Sequence, residues 1–278
     1  MAERGGGRAD GGLGARLGAA LRRLLAPAPA AQRYEGPFAD WDEARRRADG
    51  YDRPEILRQV RAAALEAKQG RAAFERDGIA FAERQYPFPV LAMLLYSAAR
   101  HGGALSVLDV GGSLGSAYFQ CRPLLAEVAR LRWSVVEQPA FVACGREEFA
   151  GEELAFYGSI GECLAHERPT LALFGSSLQY LPDPYGALRE VEAAGVPEVV
   201  IDRTPRHDGA GDLVFVQHVP PAIYRASYAC RVFGADALEG ALARGYRKVA
   251  TLPAPEAPAA AGATTIRFSG SGWTRRAP

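Results

Sequence analysis

Residues 106–120, SVLDVGGSLGSAYFQ, place a carboxylate and three glycines at the end of an apolar run. Asp109 nearly closes the run, Gly111, Gly112 and Gly115 follow, and Ser113 interrupts the spacing of a dinucleotide fingerprint. Glycines at a strand-to-helix turn let the backbone bend tightly and come close to a nucleotide-like ligand. Asp109 selects among such ligands, because a carboxylate beside the turn opposes a pyrophosphate and attracts a cation. S-adenosyl-L-methionine, with a sulfonium, an ammonium and no phosphate, suits that place. A Walker-type phosphate loop is excluded, since no GK[ST] follows. Glu137 closes WSVVEQ (133–138), 22 residues beyond Gly115. An acid at that distance is spaced to accept hydrogen bonds from a ribose diol.

Methyl transfer is largely alignment, and a base is needed only where the acceptor is a hydroxyl or an ammonium. No motif supplies that base unambiguously. His207 and His218 fall in or after the loop beyond the fifth strand, where an acceptor would lie, and each reads equally well as a solvated loop residue. Tyr180 follows the fourth strand and orients an acceptor, closes over the cofactor or simply packs. Asp202 and Arg203 end the fifth strand; Arg203 suits a carboxylate or phosphate on the acceptor, or the two tie down the loop as a pair. Residues 217–233, with Tyr224, Tyr228 and adjacent prolines, read as a long loop forming the acceptor lid.

The elements that must position these residues are legible as texture. Apolar runs at 105–110, 133–138, 154–158, 170–176 and 198–203 alternate with helix-length segments. This predicts a Rossmann-like, doubly wound, mostly parallel α/β sheet over 105–278. Two last strands, 247–252 and 264–270, have no helix between them and should pair antiparallel. Residues 33–104 read as a helical cap of three segments: one led by Asp52, Pro54 and Glu55 and ended at Gly70, one carrying Phe74 and Phe81, and one over 88–99. Pro123 lies inside the first crossover helix and should split it near 121–123.

Composition narrows the classes. A formal charge of +1 over 278 residues gives no footprint for nucleic acid. The four cysteines form no CxxC, so neither a zinc site nor a disulfide framework is expected, no metal is expected, and a cytoplasmic setting is. The longest apolar stretch, 88–99, is too short to span a bilayer. Residues 1–32 carry five arginines against Glu3 and Asp10, and Leu13, Leu17, Leu21 and Leu25 recur every four residues. They read as a disordered basic leader whose 13–25 stretch can touch a membrane surface weakly.

The stretches DVGGSLGSAYFQ, WSVVEQPAFVACG, SSLQYLPDPY and IDRTP, in this order, resemble a bacterial family of class I S-adenosylmethionine-dependent methyltransferases often associated with surface-polysaccharide genes. The upstream YEGPFADWDEA, GYD and FERDGIAF are similar to it too, so the resemblance covers roughly 34–250. It implies a cofactor site of Asp109, Gly111, Gly112, Ser113, Gly115 and Glu137, with Ser176 and Ser177 in the loop beside the methyl group. Ser159, after the third strand, joins these candidates. Ser113 departs from the DxGxGxG pattern at the middle glycine and narrows the pocket. The implied acceptor is a small molecule or sugar. A non-catalytic binding protein of the same fold stands as the alternative, and a nicotinamide-dependent dehydrogenase is disfavoured by Asp109 and the glycine spacing.

Overall fold

The computed structural model describes residues 33–221 and 223–277. The expected leader over 1–32, with its 13–25 stretch, lies outside the described residues.

The main sheet has seven strands along its path. They are β4 (Ala104–Val110), β5 (Arg130–Val136), β6 (Leu154–Tyr157), β7 (Leu171–Gly175), β8 (Glu198–Arg206), β11 (Tyr246–Pro253) and β13 (Thr264–Arg275). They lie in the order β11-β13-β8-β7-β4-β5-β6. Strands β6, β5, β4, β7 and β8 are parallel, while β13 runs antiparallel to both β8 and β11 and, off this path, to the short β12 (Ala259–Ala261). The chain leaves β4 toward β5 on one side and later passes from β7 to β8 on the other. Strand order therefore reverses between β4 and β7, where such sheets bind ligands.

Alternation along the strands sorts the core into two layers. Val107, Val135, Leu171, Leu173 and Val200 face one cluster, filled by helices α2 (Pro54–Lys68), α3 (Phe88–Arg100) and α5 (Pro139–Glu148). Leu108, Val136, Ala172, Phe174 and Ile201 face the other, filled by α6 (Ile160–His166), α7 (Pro184–Ala193) and α8 (Ala237–Leu242). The crossover after β4 breaks as expected: α4 (Ser116–Cys121) gives way to a 3-10 turn, Arg122–Leu125, with Pro123 in its first turn.

The region before β4 differs from an all-helical cap. It opens with strand β1 (Arg33–Phe38), followed by α1 (Trp41–Arg47). Strand β1 pairs antiparallel with β9 (Leu213–His218), which also pairs with β10 (Ser227–Val232). Much of the expected 217–233 loop is thus sheet, and 219–226 joins β9 to β10. Helix α2 starts at Pro54 without a side-chain cap, so Asp52 and Glu55 form no capping box. Its end carries the Gly70 and Arg71 N–H bonds of a Schellman turn, with Gly70 at φ +72°.

Phe74 and Phe81 do not share a helix. They are cross-strand partners in a hairpin of β2 (Phe74–Arg76) and β3 (Ile79–Phe81), their rings stacked 4.5 Å apart. The turn residues, Asp77 at φ +54° and Gly78 at φ +74°, both adopt the positive φ that a two-residue hairpin loop of Asp-Gly type favours.

Candidate functional site

Val110 pairs with Val136, and Gly175 with Asp202. Gly111, Glu137, Ser176 and Asp202 consequently stand at or near the tips of four neighbouring strands. Above them is a cavity of about 1100 Å³ whose walls also include Tyr51 and Glu75 from the region before β4 and Tyr224 and Tyr228 from the β9–β10 hairpin.

The glycine loop is packed from beneath. A Cβ on Gly111, at φ +75°, would lie 2.5 Å from Ser177 Cβ, and the Ser177 hydroxyl donates to the Val110 carbonyl. The loops after β4 and β7 are thereby clasped. A Cβ on Gly112 would lie 2.5 Å from Asp109 Oδ2. Ser113 takes φ +56°, a left-handed conformation that costs a side-chain-bearing residue strain and accounts for glycine's usual place there. Gly115, at φ +90°, is the N-cap of α4 and packs on Leu154; it shapes the turn without lining the cavity.

Asp109 is 2% exposed, and its Oδ2 accepts the Trp133 indole N–H at 2.9 Å. Burial pushes its carboxyl up to about 7, against the pull of that donor. It lines the cavity but is committed to Trp133 and the underside of the loop. Glu137 accepts the Gln138 N–H at 2.7 Å and also the backbone N–H of Ser113; burial raises its pKa despite both. Two bonds leave lone pairs on that carboxylate for a ligand.

The far wall is aromatic. Tyr51 and Tyr228 meet edge to face at 5.4 Å, as do Tyr228 and Tyr180 at 5.8 Å, and the Tyr180 hydroxyl donates to Gln217 Oε1 at 2.8 Å. Burial raises the pKa of all three phenols and of Tyr224. These tyrosines therefore act as neutral hydrogen-bonding groups at ordinary pH. Arg203, at φ +48°, lies 3.4 Å from both Asp202 Oδ2 and Glu256 Oε1. Asp202 is itself raised by burial, and both it and Arg203 line the cavity. Ser176, at φ +58°, receives two bonds at 3.1 Å from Gln179 Nε2.

Three expected residues lie elsewhere. Ser159 caps α6, its hydroxyl accepting the Glu162 N–H at 3.0 Å. His207 staples the loop after β8: Nδ1 accepts the Gly209 N–H at 3.1 Å, which leaves Nε2 to donate to the Gly211 carbonyl at 2.9 Å. Both ring nitrogens are used, so no base is free there. His218 ends β9 and faces Glu35 at 3.2 Å across the β1 pairing, half-exposed. None of the four histidines lines the cavity.

Two residues that do line it, Tyr51 and Glu75, are absent from the sequence-based set. Glu75 follows from the hairpin, and the Asp77–Gly78 dipeptide is the signal that marks it. No metal-binding cluster of His, Cys, Asp or Glu occurs among the described residues.

No family model matches the chain. No curated protein matches it in sequence. Among solved structures it is similar to the N-terminal domain of EvdMO1 in the presence of SAH and D-fucose, at 16% identity and TM-score 0.48, covering 81% of this chain and 97% of that one. It is also similar to the Burkholderia thailandensis 1,6-didemethyltoxoflavin-N1-methyltransferase with bound 1,6-didemethyltoxoflavin and S-adenosylhomocysteine, at 18% and 0.40, covering 82% and 95%. A third is CalS10, an amino pentose methyltransferase from Micromonospora echinaspora, at 13% and 0.41, covering 69% and 92%.

Proposed function

We propose that the cavity binds S-adenosyl-L-methionine and that the chain transfers its methyl group to a small molecule or sugar. We place that acceptor, on the resemblance of the motif stretches, in surface-polysaccharide synthesis in the cytoplasm. The observation that carries the reading is the placement of the 111–115 turn and Glu137 at adjacent strand tips, beside the order reversal and opening to one large cavity. The residues present suit this cofactor. Glu137 keeps lone pairs for a ribose diol, the buried carboxylates of Asp109 and Glu75 make a pyrophosphate unwelcome, and no lysine lines the cavity.

When bound, the cofactor supplies an electrophilic methyl carbon. The chain's part is to hold an acceptor in line with it and to exclude water. Tyr180, Tyr224 and Tyr228 offer faces and hydroxyls to a sugar-sized acceptor, while Arg203 offers charge to an acidic group on it. The four cysteines are free, and three are buried, which fits a reducing compartment. Among the described residues no helix is long and apolar enough to cross a membrane.

The test is incubation with S-adenosylmethionine bearing a labelled methyl group and a panel of nucleotide sugars and amino sugars. The reading expects label in one acceptor and matching S-adenosylhomocysteine release. Tight cofactor binding without transfer to any acceptor would favour a non-catalytic binding protein of this fold.

A further inference from the structure

Glu75 is the one carboxylate in the cavity wall that is almost wholly buried, at 2% exposure, yet has neither an ion-pairing cation nor a role in shaping the glycine loop from below. Its Oε1 accepts the Gly78 N–H at 2.8 Å, and its Oε2 accepts the Ser116 hydroxyl. Ser116 is the first residue past the glycine loop, so the hairpin is tied by this carboxylate to the turn that begins the cofactor site. Glu75, Glu137 and Tyr51 line the same cavity, and both acids add to the burial that raises the Tyr51 phenol.

A buried carboxylate without a cation is costly unless it is neutralised. Arg76, the nearest cation on its own hairpin, lies over the rings of Phe74 and Phe81 and forms no ion pair with it. Two of the carboxylate's lone-pair positions are filled, and the others can accept N–H donors. Asp109, the acid that sequence reasoning assigns to the ligand's cationic end, is already engaged by Trp133.

We infer that Glu75 receives the α-ammonium of the cofactor's amino-acid tail, so that the region before β4 closes the cofactor site. This rests on the cofactor reading above. The ammonium is the fitting cation, because it offers N–H donors.

The experiment is calorimetric titration of the full chain with S-adenosylhomocysteine and with its deaminated analogue, for the parent, Glu75→Gln and Glu75→Asp. 5′-Methylthioadenosine, which lacks the tail, reports whether each variant keeps its pocket. The parent should prefer S-adenosylhomocysteine over the deaminated analogue by about 10- to 100-fold. In Glu75→Gln that preference should collapse while methylthioadenosine affinity holds, and Glu75→Asp should fall between. Equal preference in parent and Glu75→Gln would overturn the inference. So would equal affinity of the parent for the two tailed ligands, which decides the matter even if the variants fail to fold. A parent that binds none of the three ligands would instead remove the cofactor reading beneath it.

Discussion

The Trp133 indole N–H reaches across from β5 to Asp109 Oδ2 near the carboxyl end of β4, 2.9 Å away, with both side chains almost wholly buried. Sequence reasoning puts Asp109 at the ligand's cationic end; the structure uses it to brace Gly112 and to satisfy Trp133.

The first prediction concerns pH. Asp109 is raised from 3.8 to about 7 by burial, so the folded state binds its proton more tightly than the unfolded state does. The stability this confers is complete below pH 4 and is lost as pH rises through 7, a change on the order of 4 kcal/mol at most. Asp109→Asn keeps an acceptor for Trp133 and does not titrate. Urea unfolding should show this variant gaining on the parent between pH 5 and pH 8. A difference that stays constant across that range would refute the buried-acid account.

The second concerns packing under the glycine loop. Gly112→Ala places a methyl against a carboxylate that Trp133 holds in position, so neither neighbour yields cheaply. It should cost about 1–3 kcal/mol of stability. Gly151→Ala serves as a comparison: like Gly112 it has no positive φ, and nothing lies within 4 Å of an added Cβ, so neither a clash nor backbone strain is felt. Equal losses in the two would show that the Asp109 contact is unimportant.

The parallel core was readable because its strands alternate between two apolar layers, as Val107 and Leu108 or Leu173 and Phe174 do, and because helix-length segments separate them. Pro123 was readable for a local reason, its missing N–H. What misled was ambiguity of spacing: Phe74 and Phe81 are seven apart, which suits one helix face as well as a stacked cross-strand pair, and only Asp77–Gly78 decides between them. Pro220 and Pro221 made 217–233 resemble a loop, although the pairing partner of β9 lies far upstream at Arg33–Phe38. Non-local pairing leaves no mark in a local window. His207 and His218 read as site residues because the loop after the fifth strand usually faces the site; here the β9–β10 hairpin brings Tyr224 and Tyr228 to the cavity, while His207 is bonded into its own loop and His218 faces Glu35.

The third prediction follows from His207. With both ring nitrogens bonded to its own loop, His207→Ala should lower stability by about 1–3 kcal/mol. The pH dependence of any methyl transfer should not change. A changed pH profile of the transfer rate, with stability intact, would return His207 to the chemistry.

The fourth concerns the aromatic wall. Tyr180→Phe removes the donor to Gln217 and leaves its amide oxygen unpaired, while the ring contact with Tyr228 persists. Thermal unfolding should register a cost of about 1–3 kcal/mol. Cofactor affinity should stay within twofold or so, because the Tyr180 hydroxyl is spent on Gln217 while Glu137 and the 111–115 turn stand at other strand tips. A large loss of S-adenosylhomocysteine binding would place Tyr180 against the cofactor.

The central claim is that Glu137 and the 111–115 turn bind S-adenosylmethionine, and calorimetric titration of the parent and Glu137→Ala with S-adenosylhomocysteine and with NAD tests it most directly. The parent should bind S-adenosylhomocysteine and not NAD. Glu137→Ala should lose about 1.5–3 kcal/mol of that binding, the worth of hydrogen bonds to a charged group, while remaining folded. Tighter binding of NAD, or S-adenosylhomocysteine affinity unchanged in the variant, would contradict the account.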